Sequence, residues 1–257
     1  MKLIENGFLK RAALLLFHPD PLRFVSGAFV KIGFFATAAD VLYHDVIEGD
    51  LFEQADKTLD LLTTKYLKAW ISYQGVQRLE TLPVPEPALR EAVLNAIVHK
   101  DYSVAAPIQI KVFDDHLTIW NPGTLPDAWP LERLETSHPS LPANPDVAAA
   151  FFRTGMIEAW GRGIEKMLAA CRRADVPEPT FSTEGVGLWT TFRFAARVPE
   201  VEHQPEPRPG AGQVTVQVTG QVTGQVTVSI GEDVLRLIAA LRGELCRSQL
   251  QRKLGLV

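Results

Sequence analysis

Apolar and polar positions along this chain follow two rhythms, and the change from one to the other marks the elements. Between residues 8 and 37 the short apolar runs AALLLF and FVSGAFVKIGFF flank a Pro-containing turn at 18–22, a pattern that predicts two strands. From Asp50 to Trp70, Leu51, Phe52, Ala55, Leu59, Leu62, Tyr66 and Leu67 recur at helical spacing and predict one long helix. The segment GVQRLETLPV, residues 75–84, reads as a strand running into a Pro-marked helix start.

The helix that follows, in LREAVLNAIVHKDYS (89–103), is apolar nearly all round. Leu89, Ala92, Val93, Ala96 and Ile97 cover most of its circumference, while Glu91, Asn95 and His99 stack along one narrow stripe at about 100° per residue. Either that stripe faces water or it lines a site. Next, IQIKVFDDHLTIWNPG alternates through Ile108, Ile110, Val112, Leu117 and Ile119 around Asp114-Asp115-His116, a β-hairpin signature. Residues 121–146, rich in Pro, Asn, Asp and Ser, predict a long irregular connection of the kind that often carries function. Helices are expected at 147–153 and 163–174, and a closing strand pair over 180–196 with its turn at 185–187.

Composition changes near Arg197. VPEVEHQPEPRPGAG is Pro-rich without an apolar cluster and reads as a linker, and QVTVQVTGQVTGQVTV (213–228) repeats Gln-Val-Thr as a spacer. Two short helices, 232–241 and 248–254, then flank Arg242-Gly243. They look like the opening of a helix-turn-helix unit, with Arg247, Arg252 and Lys253 as candidate DNA contacts.

A chain of 257 residues, 46% hydrophobic, supports a real core in one large or two modest domains. Its formal charge of −4 excludes a protein that coats nucleic acid through its bulk field, so any DNA contact is regional. Cys171 and Cys246 have no CxxC or Cys/His spacing, which signals neither zinc nor disulfides and points to reduced thiols in cytoplasm. AALLLF is too short to span a membrane. His99, Asp101 and His116 lack metal-ligand spacing, and the absence of GxxxxGK[ST] argues against a Walker-type helicase motor.

A Glu and an Asn one helical turn apart beside a sheet can divide the work of nucleotide hydrolysis: the amide oxygen ligates magnesium and the carboxylate orients water. Asn121-Pro122-Gly123 after the hairpin and Gly161-Arg162-Gly163 before a helix offer turns whose backbone N–H groups can approach phosphate.

In this order, LREAVLNAIVHKDYS, TIWNPGTLP and GMIEAWGRGIEKM resemble the signature blocks of the divergent GHKL-type ATP-binding domain. That domain occurs in RecG-related bacterial transcriptional regulators, which also carry a Schlafen-like AlbA domain. The resemblance spans roughly residues 10–195. It implies an α+β fold, a two-layer sandwich with helices on one face of a mixed sheet. It further implies ATP or a related nucleotide with Mg2+ as cofactors, Glu91 as the water-activating base and Asn95 as the metal ligand. Gly123 would belong to the first glycine box, with Asn121 beside it where the family has an adenine-reading Asp. Gly161, Arg162 and Gly163 would form the second box, Thr191 would join from the closing strands, and 126–160 would be a mobile lid. Asn121 lacks the charge of an Asp, and Ala143 precedes Asn144-Pro145 where the family shows a basic residue.

The implied organisation is the end of an AlbA-like domain at 1–40, a connecting helix and strand at 41–83, and the GHKL-like domain at 84–196. A linker at 197–229 and a partial winged helix at 230–257 complete it. The implied function is a DNA-associated transcriptional regulator, without membrane association and homo-oligomeric, that closes its lid on nucleotide and hydrolyses it slowly. The alternative is a scaffold that keeps the fold without the nucleotide.

Overall fold

The described residues of the computed structural model, 3–126, 129–136, 139–158 and 161–195, build a mixed sheet whose helices cover one face. The segments expected to be a linker, a Gln-Val-Thr spacer and two C-terminal helices, with Arg247, Arg252 and Lys253, lie outside the described residues. In chain order the elements are β1 (Ile4–Glu5), β2 (Phe8–Leu9), α1 (Arg11–Phe17), β3 (Val30–Phe35), β4 (Val41–Ile47), α2 (Leu51–Leu61), β5 (Trp70–Gln74) and β6 (Gln77–Thr81). There follow α3 (Glu86–His99), β7 (Ile108–Val112), β8 (His116–Asn121), α4 (Pro145–Arg153), α5 (Gly163–Arg173), β9 (Thr180–Thr183) and β10 (Leu188–Arg193).

Six strands form the main sheet in the order β4-β3-β7-β8-β10-β9. All its neighbours are antiparallel except β3 and β7. Register puts Val30, Ile32 and Phe34 opposite Ile108, Ile110 and Val112, then Ile110 and Val112 opposite Ile119 and Leu117, and Leu117 opposite Phe192. Alternation therefore gathers these side chains on one face, where they join Leu89, Leu94 and Ile97 of α3 in one core. At roughly 1.5–3 kcal/mol for each such side chain fully buried, this layer carries the fold. Strands from either side of residue 83 share the sheet, so the fold runs through the boundary that the sequence suggests. No helix among the described residues is long and apolar enough to cross a membrane.

Several expectations are corrected. AALLLF is the helix α1, not a strand: Ala and Leu lose little freedom in a helix, and Ala13, Leu15 and Leu16 bury one side of it. The chain reverses before it at Asn6-Gly7, both at positive φ. The long helix ends in a widened turn at Leu62–Tyr66, short of Trp70. There the buried Tyr66 hydroxyl donates to Asp45 Oδ2 at 2.6 Å, and Trp70 already begins a strand. The strand expected at 75–84 is the second arm of a separate β5–β6 hairpin turning at Gly75, φ +62°. The edge strand β4 was not anticipated, and α4 begins at Pro145 rather than 147.

Candidate functional site

From Ala88 to Lys100 every residue of α3 and its cap is buried except Arg90, Glu91, Asn95 and His99, which are half-buried. The polar stripe is thus the one interruption in a helix that otherwise lies inside the core. α5 packs against it, and its first residue, Gly163, sits over the stripe. A Cβ added at Gly163 would lie 3.0 Å from Glu91 Cδ and 3.2 Å from Asn95 Nδ2, and would overlap Glu91 Oε1. Folding therefore brings Glu91, Asn95 and Gly163 together from two distant segments. The two glycines serve different needs: Gly161 adopts φ +68°, which favours glycine, whereas Gly163 provides room.

Charge at this junction is layered. Burial pushes the Glu91 carboxyl above its ordinary range, Lys166 and Arg90 draw it back, and Glu158 adds a smaller upward push. Glu158, exposed, pairs with both Lys166 and Arg162, the latter at 3.1 Å. Lys166 and the N-terminus of α5 thus lie beside Glu91 and Asn95, while Arg162, the cap residue of α5, is held outside by Glu158.

The C-terminal end of α3 is fastened by the other two blocks. Asp101 N–H donates to Pro122 O at 2.7 Å, and a Cβ added at Gly123 (φ +155°) would lie 3.0 Å from His99 O. The Asn144 amide donates to Val98 O at 2.9 Å and Lys100 O at 2.7 Å, satisfying carbonyls that a helix end leaves open. Asn121, only 5% exposed, ends β8 on the helix-covered face, so the first glycine turn lies about 6 Å, one helical turn, beyond Asn95 along α3.

Thr191 is not brought to this cluster. It pairs with Thr118 on the opposite face of the sheet, while its neighbour Thr190, 8% exposed, pairs with Ile119 and faces the helices. Sequence reasoning also missed Lys100, which is 1% exposed. Its ammonium donates to Asp101 O at 3.2 Å and Val104 O at 3.4 Å and lies 5.0 Å from the Tyr102 ring centre. Burial pulls its pKa from 10.5 down to about 8. The folded chain thus releases this proton more readily than the unfolded chain, and stability gains as pH rises. Relative to Lys100→Met, the wild type is expected to become more stable between pH 8 and pH 10.5 in a series of thermal melts.

Among the described residues no three His, Cys, Asp or Glu side chains cluster to hold a metal by themselves. A cleft of about 370 Å³ lies at the other end of β8 among Phe34, Tyr66, Trp70, Phe113 and Asp115. The Glu91 junction lies apart from that cleft, with the first turn of α5 resting on Glu91 and Asn95.

Residues 105–192 match the family described as "Putative ATP-dependent DNA helicase recG C-terminal", which supports an ATPase-like domain. The matched stretch starts just past α3, so it includes Asn121, Gly123, Gly161 to Gly163 and Thr191 but not Glu91 or Asn95. The chain is also similar in structure to the DIP2311 protein of Corynebacterium diphtheriae. Identity is 25% and the TM-score 0.64, over 75% of this chain and 39% of that one. This chain therefore spans well under half the length of that protein. No curated protein matches it.

Proposed function

We propose that the described unit is a nucleotide-responsive switch: a divergent GHKL-type domain that takes ATP or a related nucleotide with Mg2+ where α5 meets α3, within a DNA-associated transcriptional regulator. The observation that carries this reading is the seating of Gly163 on Glu91 and Asn95. The donor set suits the group. One amide oxygen and one carboxylate are too few to strip a cation of its water, but they suit magnesium, which keeps several waters and shares phosphate oxygens. When bound, the magnesium nucleotide supplies the phosphoanhydride and neutralises its developing charge.

This chain's residues do the rest. Asn95 offers its amide oxygen to the ion. Glu91 orients a water and accepts its proton, and a carboxyl raised by burial is the stronger base for that task. Arg162 and Lys166, which pair with Glu158, are the cations that would meet phosphate beside the N–H groups at the start of α5. Asn121 accepts a hydrogen bond from the base without charge assistance, which makes adenine recognition weak. Closure of the part of the 126–160 segment ahead of Asn144, which is tied to α3, excludes water and transmits the nucleotide state to the DNA-contacting elements.

Thermal denaturation with and without magnesium ATP tests the reading. Nucleotide at about 100 times its Kd is expected to stabilise the wild type by about 2.7 kcal/mol. Asn95→Ala should lose that gain while its unliganded melting temperature stays near wild type. An unresponsive wild type would overturn the proposal.

A further inference from the structure

The face of the sheet turned away from the helices carries a chemistry that the nucleotide site does not use. An antiparallel sheet open to water on one side normally shows polar side chains there. Here Trp120 of β8 and Trp189 of β10 stand directly opposite each other on that face, ring centres 6.1 Å apart and planes tilted by 44°. Lys111 of β7 reaches between neighbours, its ammonium 5.8 Å from the Trp189 ring and 5.6 Å from Phe35 of β3. Phe35 in turn lies over Gly33, where an added Cβ would approach its ring to 2.7 Å. Lys31 and Arg193, both exposed, flank this aromatic strip on β3 and β10.

Along these strands charge separates by face, with one carboxylate at the rim: Asp115 of the β7–β8 turn pairs with His116 and lies within electrostatic reach of Arg193. Among the described residues, no outward-facing position of β3, β7, β8, β10 or β9 is Asp or Glu, although the whole chain carries a formal charge of −4. The nearest strand carboxylate, Asp45 of β4, faces the helices, where Tyr66 and Lys65 bind it. Of these six outward side chains Lys31 and Arg193 are exposed, while Trp120, Trp189, Phe35 and Lys111 are half-buried: Gly187 lies against the Trp120 indole, Phe35 stacks on Phe113, and the Trp189 indole N–H is buried without a hydrogen-bond partner.

We propose that the open face of β3, β7, β8 and β10 binds single-stranded DNA. Bases stack on Trp120, Trp189 and Phe35, and Lys31, Lys111 and Arg193 meet the phosphates. A four-stranded sheet with exposed aromatics has room for two or three splayed bases. Every base presents a π-face, so stacking needs no particular sequence, and the cations supply a salt-dependent share of the affinity. A duplex keeps its bases stacked on each other and offers nothing to a flat aromatic strip. The face lies on the opposite side of the sheet from α3 and holds whether or not nucleotide binds there. Only the choice of DNA over RNA rests on the proposed DNA association.

Fluorescence anisotropy of a labelled oligo-dT twelve-mer with the intact chain tests this. Saturable binding with quenching of tryptophan emission is expected. The variant carrying Lys31→Gln, Lys111→Gln and Arg193→Gln should bind more weakly, with a salt slope shallower by about 2, from three contacts at roughly 0.7 each on a single strand. Trp189→Leu should weaken binding by roughly 5- to 150-fold. The triple variant alters only surface charges and decides the matter if the tryptophan variant fails to fold. Four results would overturn the proposal: no binding by the wild type, undiminished binding by the triple variant, tighter binding of oligo-U than oligo-dT, or self-association abolished by the triple variant, which would assign the face to a second copy.

Discussion

Gly163→Ala is expected to leave a folded protein that turns over nucleotide at least 100-fold more slowly, the scale of losing a positioned general base. The reason is what the added methyl meets. It would overlap the Glu91 carboxylate and crowd Glu91 Cδ and Asn95 Nδ2 at 3.0 and 3.2 Å. The carboxylate is the end of a flexible side chain and gives way first, so overpacking costs stability only about 1 kcal/mol, the low end for such insertions. The proposed base, however, is driven out of place. Removing the obstacle should reverse the sign of the stability effect: in a Glu91→Ala background, alanine at 163 no longer clashes and gains the helix preference of Ala over Gly. Urea unfolding of the four corners of this cycle should therefore give a coupling of about 0.5–3 kcal/mol. Equal costs for Gly163→Ala in both backgrounds would show that the contact is not made.

Glu91→Gln is expected to stop turnover and, at neutral pH, to raise the melting temperature. The sign of this stability effect follows from burial of the carboxyl. The folded pKa of Glu91 lies above its ordinary 4.5, so folding favours the protonated acid. Its contribution to stability is full below pH 4.5 and is lost as pH rises through the folded value. Glutamine keeps the shape without a charge to bury. The melting-temperature gap between variant and wild type should open as pH climbs above 4.5 and close in acid. A gap that stays constant with pH, or a less stable variant at pH 7, would place the Glu91 carboxylate in a solvated setting instead.

Much of this candidate site's geometry was legible in the sequence because α3 is buried on almost every side. In such a helix polar residues at four-residue spacing stand out, and Glu91, Asn95 and His99 are three of the four half-buried positions that the structure leaves there. The β7–β8 hairpin was equally clear, since its alternation and turn are local. Non-local features were not. The parallel pairing of β3 with β7 joins residues far apart in the chain, and nothing in either strand names its partner. AALLLF misled because a short apolar run has no periodicity with which to tell strand from helix. For Thr190-Thr191 the sequence does not say which hydroxyl faces the helices: adjacent strand residues face opposite ways, and the fold turns Thr190 inward and Thr191 to the other side of the sheet. Lys100 was invisible because lysine is ordinarily a surface residue, and only the folded chain shows it buried beside Tyr102.

The two glycines show where reading a motif stops and structure begins. Gly161-Arg162-Gly163 reads as one phosphate-approach turn, yet one glycine is required by its backbone angle and the other by the carboxylate beneath it. A substitution at Gly161 acts through local backbone strain, one at Gly163 through Glu91.

Calorimetric titration of ATP into the intact chain, with and without magnesium and repeated on Asn95→Ala, tests the nucleotide seat most directly. The expected result is saturable one-to-one binding in magnesium that collapses in Asn95→Ala, with the variant's unliganded melting curve unchanged. Absence of saturable heat with the wild type, or equal affinity in wild type and Asn95→Ala, would contradict it.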